Sequence, residues 1–336
     1  MIEPRANPDL VGHEEAARTL EEAARSGRLH HAWLIAGPAG IGKATLAWRF
    51  ARWLLAGMPK PAPGQPALHV PPDHPVFRRI AAGAHPDVLG LEPNTGERGK
   101  KVMLRVDDAR EAVRSLTLSA AEGGWRVVVI DEVDQADTAA VQNTLLKTLE
   151  EPPPRTVLLL TSARPQMLLP TIRSRVRRLD LTPLPAEEMA PLLARLLPDM
   201  APGERGALAE LAGGSPGRAM ALAEEGGLEL AALAREVLAG LARSDPRQAL
   251  VIADKLAADR GGGAFGTFFT LLRQAIAAGV REAGLGRDAQ PWVTLRSLAE
   301  WSALWDRLGR LAEETERLNL DRKQAVLTAL AALRGR

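Results

Sequence analysis

Gly37, Gly42 and Lys43, in the run GPAGIGKATL, stand at the spacing of a phosphate-binding loop, G-x-x-x-x-G-K-[S/T]. Such a loop works because its glycines let backbone N–H groups turn inward onto phosphate oxygens. The helix that follows points its positive end at the same place, and the lysine reaches the terminal phosphates. Gly40 adds a further glycine inside the loop. The last position of the pattern calls for a hydroxyl to hold magnesium, and here it is Ala44, which has no oxygen to offer. Thr45 is the nearest hydroxyl, but a helix turns about 100° per residue, so its side chain leaves the phosphate side. It remains a candidate nucleotide contact and a poor replacement for the missing ligand.

A second group of residues complements the loop. The β-branched run RVVVIDEVDQAD ends in Asp131 and Glu132. A carboxylate at the C-terminal end of a parallel strand lies at the crevice where such sheets bind ligands. Asp131 is therefore placed to hold magnesium, and Glu132 to orient an attacking water. TVLLLTSARP supplies a further apolar run ending in the small hydroxyls Thr161 and Ser162 at the same edge. Between these runs, DTAAVQNTLLKTLEEPPP reads as an amphipathic helix with Asp137 as N-cap, Val141, Leu145 and Leu149 on one stripe, and prolines as a stop.

The elements that must position these residues are legible from periodicity. From Leu10 to Leu181 helical patterns alternate with short apolar runs at Ala32–Gly37, Asp87–Glu92, Arg126–Asp131 and Thr156–Ser162, which is how buried parallel strands read. The implied fold is a doubly wound α/β layer. Pro183 and Pro185 close the last strand pattern, and everything beyond reads as helix. The spacing predicts an α/β nucleotide-binding domain over 1–182, a short helical domain over 183–227 and a longer helical domain over 228–336, with RGGGAFG (Arg260–Gly266) as a loose interruption.

The chain has 336 residues, 46% of them apolar and 25% charged, which excludes disordered and fibrous classes and allows two or three domains. The net charge of +2 is spread rather than gathered, so it permits nucleic-acid contact without arguing for it. The absence of cysteine excludes disulfides, thiolate metal sites and cysteine nucleophiles. No leader-like or membrane-spanning apolar stretch is expected, which reads as a cytoplasmic protein with no membrane partner. His69, His74 and His85 beside Asp73 and Asp87 lie in a proline-broken stretch at irregular spacing and read as surface loop rather than a metal site.

The order GPAGIGKATL, VVVIDEVDQAD, NTLLKTLEEPP, LLLTSARP and TIRSRVRRLDL resembles the AAA+ clamp-loader ATPases, and LNLDRKQAVL (Leu318–Leu327) is similar to the collar domain of that family. The resemblance implies an AAA+ P-loop module with a parallel sheet, a small helical lid and a C-terminal helical collar used for oligomerisation. It implies that Val11-Gly12-His13 lines the adenine pocket, that Thr161 or Ser162 is the first sensor, and that Arg218 in GGSPGR is the second. It also implies that Arg175, in Ser174-Arg175-Val176, projects an arginine finger into a neighbour's ATP site. Ser215 as N-cap and Pro216 at the first helical position support the placement of Arg218 from the residues alone. The partners implied are other clamp-loader subunits (gamma/tau and delta), the sliding clamp and primed DNA. The cofactors implied are ATP and, through Asp131, Mg2+.

Three departures from the family pattern matter. The finger element lacks its usual cysteine, the four zinc-binding cysteines of many bacterial members are missing so that no zinc is expected, and Ala44 removes a magnesium ligand. Nucleotide could still bind, but hydrolysis should suffer. This suits a stator subunit with a weak or absent ATPase and no polymerase site of its own, inside a DNA polymerase holoenzyme. The alternatives are a catalytically active motor subunit of gamma/tau type, favoured by Glu132 and Arg175, and a purely structural protein. Arg173, Arg175, Arg177 and Arg178 read as a basic edge strand rather than a DNA contact. Trp301 and Trp305 read as core or interface residues, and His30 and His31 as closing a helix-strand turn.

Overall fold

The computed structural model describes residues 3–335 except 93, 96–100, 103, 105, 118–119, 123, 136–137, 242–245, 260–262 and 288–289. Asp137, read above as an N-cap, lies outside the described residues. The elements in chain order are α1 (Glu14–Arg25), β1 (Ala32–Ala36), α2 (Lys43–Leu55), α3 (Pro75–Ala81), β2 (Val88–Leu91), β3 (Asn94–Thr95), β4 (Lys101–Val102), α4 (Val106–Thr117), β5 (Arg126–Ile130), α5 (Thr138–Glu150), β6 (Thr156–Ser162), α6 (Pro170–Arg173) and β7 (Arg177–Asp180). Then come α7 (Ala186–Leu196), α8 (Pro202–Ala212), α9 (Pro216–Glu224), α10 (Gly227–Ala239), α11 (Pro246–Ala257), α12 (Gly263–Gly284), α13 (Leu298–Leu318) and α14 (Arg322–Arg334).

Two units can be distinguished, one of residues 1–199 and 212–218, the other of residues 200–211 and 219–336. The first is α/β. Its five-stranded sheet has the order β2-β5-β6-β1-β7, and every pairing in it is parallel. The central strands β1, β5 and β6 are buried on both faces and largely apolar, and their alternation sorts residues between two cores, whereas the edge strand β7 is mostly charged and exposed. Trp33, Ile35, Val127, Val129, Val157 and Leu159 face α1, α2 and α3. Leu34, Val128, Ile130, Leu158 and Leu160 face residues of α4, α5 and α6. The hairpin of β3 and β4 is a separate two-stranded pair that the periodicity did not signal.

The second unit is helical among its described residues. Of the interruption expected at Arg260–Gly266, residues 260–262 lie outside the described residues, and Gly263–Gly266 form the first turn of α12 rather than a loose segment, because Ala264 N bonds the Asp259 carboxylate and Phe265 is fully buried. Trp301 is buried edge-on against Trp292 at 4.9 Å. Trp305 donates from Nε1 to Arg273 O at 3.0 Å while the Arg273 guanidinium lies 3.7 Å from its ring centroid, locking α12 to α13. Asn319 ends α13 in a left-handed conformation and Asp321 caps α14 by accepting from Gln324 N at 3.1 Å.

Candidate functional site

The parallel sheet puts the C-terminal ends of neighbouring strands side by side. Ala36, the last residue of β1, is in register with Ser162, and Leu160 with Ile130 of β5. Gly37, Thr161 and Asp131 therefore emerge at one edge, with β6 between the loop-bearing and acid-bearing strands. The loop itself needs its glycines. Gly37 has φ +151° and an added methyl there would stand 2.6 Å from Leu181 O. Gly40 has φ +76°, and a methyl would stand 2.7 Å from Ser215 Oγ and 2.8 Å from Arg218 N. Gly42, with φ +106°, is the residue before α2. Lys43 begins that helix with only 6% of its surface exposed, and its Nζ donates to Pro38 O at 2.8 Å, across the loop. Ala44 packs against the core on the α2 side of the sheet, so the hydroxyl position is filled by a methyl. Thr45 follows it within α2 and stays partly exposed.

Asp131 and Glu132 are joined through Thr161, which has no exposed surface. The Thr161 hydroxyl donates to Asp131 Oδ1 and accepts from Glu132 N at 2.9 Å. Of the two hydroxyls read as first-sensor candidates, Thr161 thus meets the acids, whereas Ser162 Oγ accepts from Arg164 N at 3.1 Å. Glu132 has φ +48°, a left-handed backbone that costs a non-glycine residue energy and holds its side chain at the turn after β5. Glu92, just beyond the neighbouring strand β2, was not signalled by any motif. It accepts from Trp48 Nε1 at 3.2 Å. Burial pushes its carboxyl upward, Arg5 opposes this, and Asp131 adds to it.

Arg218 is brought to the phosphate loop. Ser215 Oγ donates to Ala39 O at 2.7 Å and accepts from Arg218 N at 3.3 Å, while Gly217 N donates to Gly40 O at 2.8 Å. Burial lowers the Arg218 guanidinium pKa, and its Nη2 is buried and, among the described residues, has no hydrogen-bond partner. Val11 sits in a strap that runs over the same loop. His13 Nε2 donates to Ile41 O at 2.8 Å. The strap is tied down by two arginines of α2: Arg52 donates to Arg5 O and Asn7 O at 2.7 Å each, and Arg49 to Pro8 O at 2.8 Å and Ala67 O at 3.1 Å. Burial, with Arg49 adding to it, pushes the Arg52 pKa down to about 9.

Arg175 lies apart from this group. It follows α6, is about a third exposed, and its Nη2 pairs with Glu150 Oε1 at 2.9 Å while Nη1 donates to Thr171 O at 3.0 Å. Two of its basic neighbours are engaged on β7, the sheet edge: the Arg177 guanidinium lies 4.9 Å from the Trp33 ring centroid and Arg178 pairs with Asp180 at 2.7 Å. His31 Nε2 donates to Leu149 O at 3.0 Å and so ties the turn before β1 to α5.

The histidine stretch differs from the surface loop expected. His85 and Asp87 are buried, because the Asp87 carboxylate accepts from Ala121 N at 2.7 Å and Glu122 N at 3.1 Å. His74 accepts from Val76 N at 3.2 Å and caps α3. Among the described residues no group of three or more His, Asp or Glu is placed to hold a metal.

The fold and this edge have the layout of a P-loop module: parallel sheet, glycine loop running into a helix, buried lysine, and an acid two strands away across β6. The chain belongs to the DNA polymerase III, delta subunit family, whose model matches residues 12–185. Over 197 residues it is 40% identical to the delta′ subunit of DNA polymerase III from Pseudomonas aeruginosa, covering 58% of this chain and 56% of that one. The Escherichia coli K12 delta′ subunit is 39% identical over 200 residues, with 59% and 56% coverage. The gamma/tau subunit of Mycobacterium tuberculosis is 32% identical over 200 residues, covering 57% of this chain and 31% of that one. The chain therefore spans little more than half the length of the delta′ relatives it matches. Among solved structures, a gamma subunit-related protein from Thermotoga maritima aligns over 96% of this chain and 97% of its own at 20% identity and a TM-score of 0.43.

Proposed function

We propose that the chain works as a delta′-type clamp-loader subunit in a DNA polymerase III holoenzyme, helping to place a sliding clamp on primed DNA alongside gamma/tau and delta subunits. In this reading it is cytoplasmic and divides into a nucleotide-binding module (1–182), a lid (183–227) and a collar (228–336). Among the described residues no helix is long and apolar enough to cross a membrane. The observation that carries the reading is the combination of family membership with a phosphate loop that is whole except at Ala44.

The loop's residues fit a nucleotide. Gly37 to Gly42 can offer backbone N–H groups, Lys43 can exchange Pro38 O for a phosphate, and in this reading Val11 would meet the base and Arg218 the terminal phosphate. The fit to magnesium is poorer. Asp131 can supply a carboxylate, but position 44 presents a methyl packed against the core, so the metal would lose its ligand from the loop. When bound, magnesium would neutralise charge on the phosphates. With one ligand gone, Glu132 would have little hydrolysis to assist, and ATP would be held more than spent.

Arg175 is then the residue with chemistry to contribute elsewhere. A guanidinium is always charged and engages phosphate bidentately, so it can stabilise charge spreading over a γ-phosphoryl group in a neighbour's site. Its present partner does not prevent this, since a solvent-exposed pair such as Arg175–Glu150 is worth about 0–1 kcal/mol. The test is reconstitution of a clamp-loader complex with Arg175→Ala and Arg175→Lys, reading DNA-stimulated ATPase and clamp loading. Arg175→Ala should assemble normally and load slowly, and Arg175→Lys should recover only part, because lysine lacks the planar fork. Full rates with Arg175→Ala would end the finger reading. A motor-like ATPase turnover by this chain alone would favour a gamma/tau-type subunit instead.

A further inference from the structure

The strap that carries Val11 is bounded on two sides. Toward the phosphate loop, His13 bonds Ile41 O, and a methyl added at Gly42 would stand 3.8 Å from His13 Cδ2 and 3.9 Å from Leu10 Cδ1. On the other side stand Leu184 and the first turn of α7. A methyl added at Gly12, which has φ +69°, would stand 2.3 Å from Leu184 Cδ2 and 2.8 Å from Glu188 Oε2. Gly12 is thus the residue that lets the strap close onto a carboxylate. That carboxylate oxygen is buried and, among the described residues, has no hydrogen-bond partner. A buried carboxylate oxygen without a donor is costly, and natural structures keep such atoms where something else supplies the donor. Neither sequence spacing nor the family pattern singled out Glu188.

We propose that Glu188 reads the exocyclic amino group of the nucleotide's base. The inference rests on the reading that a nucleotide occupies the phosphate loop with its base at Val11–His13. An ionised carboxylate only accepts hydrogen bonds. Adenine presents an N–H donor at its 6-position, and a 6-oxopurine presents a carbonyl oxygen there, so Glu188 would bind the first and repel the second. A site built to pair a donor rejects the analogue that lacks it, because its own polar group is left unpaired. Glu188 is then a specificity-determining residue, and Gly12 is the position that admits it.

ATP and ITP differ only along the edge formed by the 6-position and N1, where the amino donor of adenine becomes a carbonyl and N1 gains a proton, which makes them the probes. Equilibrium binding of each, and of 2′-deoxy-ATP, to the full chain is measured for the wild type, Glu188→Gln and Glu188→Ala, with a thermal melt of each unliganded protein to establish folding. The wild type should bind ATP more tightly than ITP by about 10- to 100-fold, the range expected for a hydrogen bond to a charged group. The ratio should shrink to within about threefold of one in Glu188→Ala. It should fall at least partway in Glu188→Gln, whose amide can present either a donor or an acceptor. Equal binding of ATP and ITP by the wild type, or a ratio that survives both substitutions, overturns the inference and leaves the nucleotide reading standing. Equal weakening for both nucleotides would make Glu188 a support of the fold and overturn it too. If the substitutions instead erase a preference for ATP over 2′-deoxy-ATP, the carboxylate reads the sugar and the base assignment falls. A wild type that binds no nucleotide ends the nucleotide reading and this inference together.

Discussion

Replacing Thr161 by valine removes one oxygen from the centre of the candidate site without changing the size of the side chain. The hydroxyl makes two bonds, donating to the Asp131 carboxylate and accepting from Glu132 N at 2.9 Å, at a position with no exposed surface. A hydrogen bond to a charged group contributes roughly 1.5–3 kcal/mol and a neutral one roughly 0.5–1.5, so Thr161→Val should cost about 2–4 kcal/mol. Because Glu132 sits at φ +48°, the lost bond also releases a backbone that had a reason to stay left-handed. The loss should be local to the ends of β5 and β6, and hydrogen exchange read by mass spectrometry on peptides covering 126–132 and 156–162 resolves it. At 1.36 kcal/mol per tenfold, exchange there should quicken by about 30- to 1,000-fold. Thr161→Ser keeps the oxygen and loses one buried methyl, a change worth about 0.5–1.5 kcal/mol, so its exchange should quicken about tenfold or less. Wild-type exchange in Thr161→Val, or equal damage from both substitutions, would refute the claim that this hydroxyl organises the acids.

Gly40→Ala should both destabilise the chain and abolish nucleotide binding, because the methyl meets Ser215 Oγ and the Arg218 amide. Gly27→Ala has nearly the same φ, +69°, and among the described residues nothing lies within 4 Å of the added methyl. It should therefore cost only the left-handed penalty of about 1–2 kcal/mol in a denaturation assay. Ala44→Ser should give a magnesium-dependent gain in ATP affinity, lost on adding a chelator, and its small volume avoids crowding the core as threonine would. Burial holds His31, His69 and His85 below their ordinary value of 6.5. The unfolded chain then binds more protons than the folded one just below that pH, so stability is full above about 6.5 and falls as pH drops further. Thermal melts at pH 7.5 and 5.5 should show the lower Tm at 5.5, and an unchanged or higher Tm would contradict the shifts.

The sheet was legible because its central strands are buried on both faces and all but β7 read as apolar runs: β1, β2, β5 and β6 fall within a residue or two of the runs seen in the sequence. The phosphate loop and the acid after β5 were legible for a related reason, since their backbone geometry demands particular residue types at fixed spacing. What escaped notice was long-range and polar. Nothing local distinguishes Glu188 from any first-turn helix acid, or Glu92 from an acid ending a strand, and their surroundings come from segments distant in sequence. The histidine stretch misled because prolines usually mark exposed loops, whereas Asp87 here accepts two amide bonds that draw His85 inward with it. Gly263–Gly266 misled for the opposite reason: glycine weakens a helix, and the buried Phe265 offsets that weakness.

Arg49 and Arg52 give the N-terminal strap, whose regular structure is a single 3-10 turn at Pro4–Ala6, an importance that its brevity conceals. They are 3% and 2% exposed, and among the groups that satisfy them are backbone carbonyls of residues 5, 7 and 8. Trimming the strap as though it were a dispensable tail would strand two cations inside the protein, with Phe77 beneath one of them. A buried charge that loses its partners costs far more than the contacts deleted with it. A truncated version starting at Leu10 should therefore behave as a core mutant: poorly folded at neutral pH, and rescued by replacing both arginines with methionine rather than by restoring any particular residue of the strap.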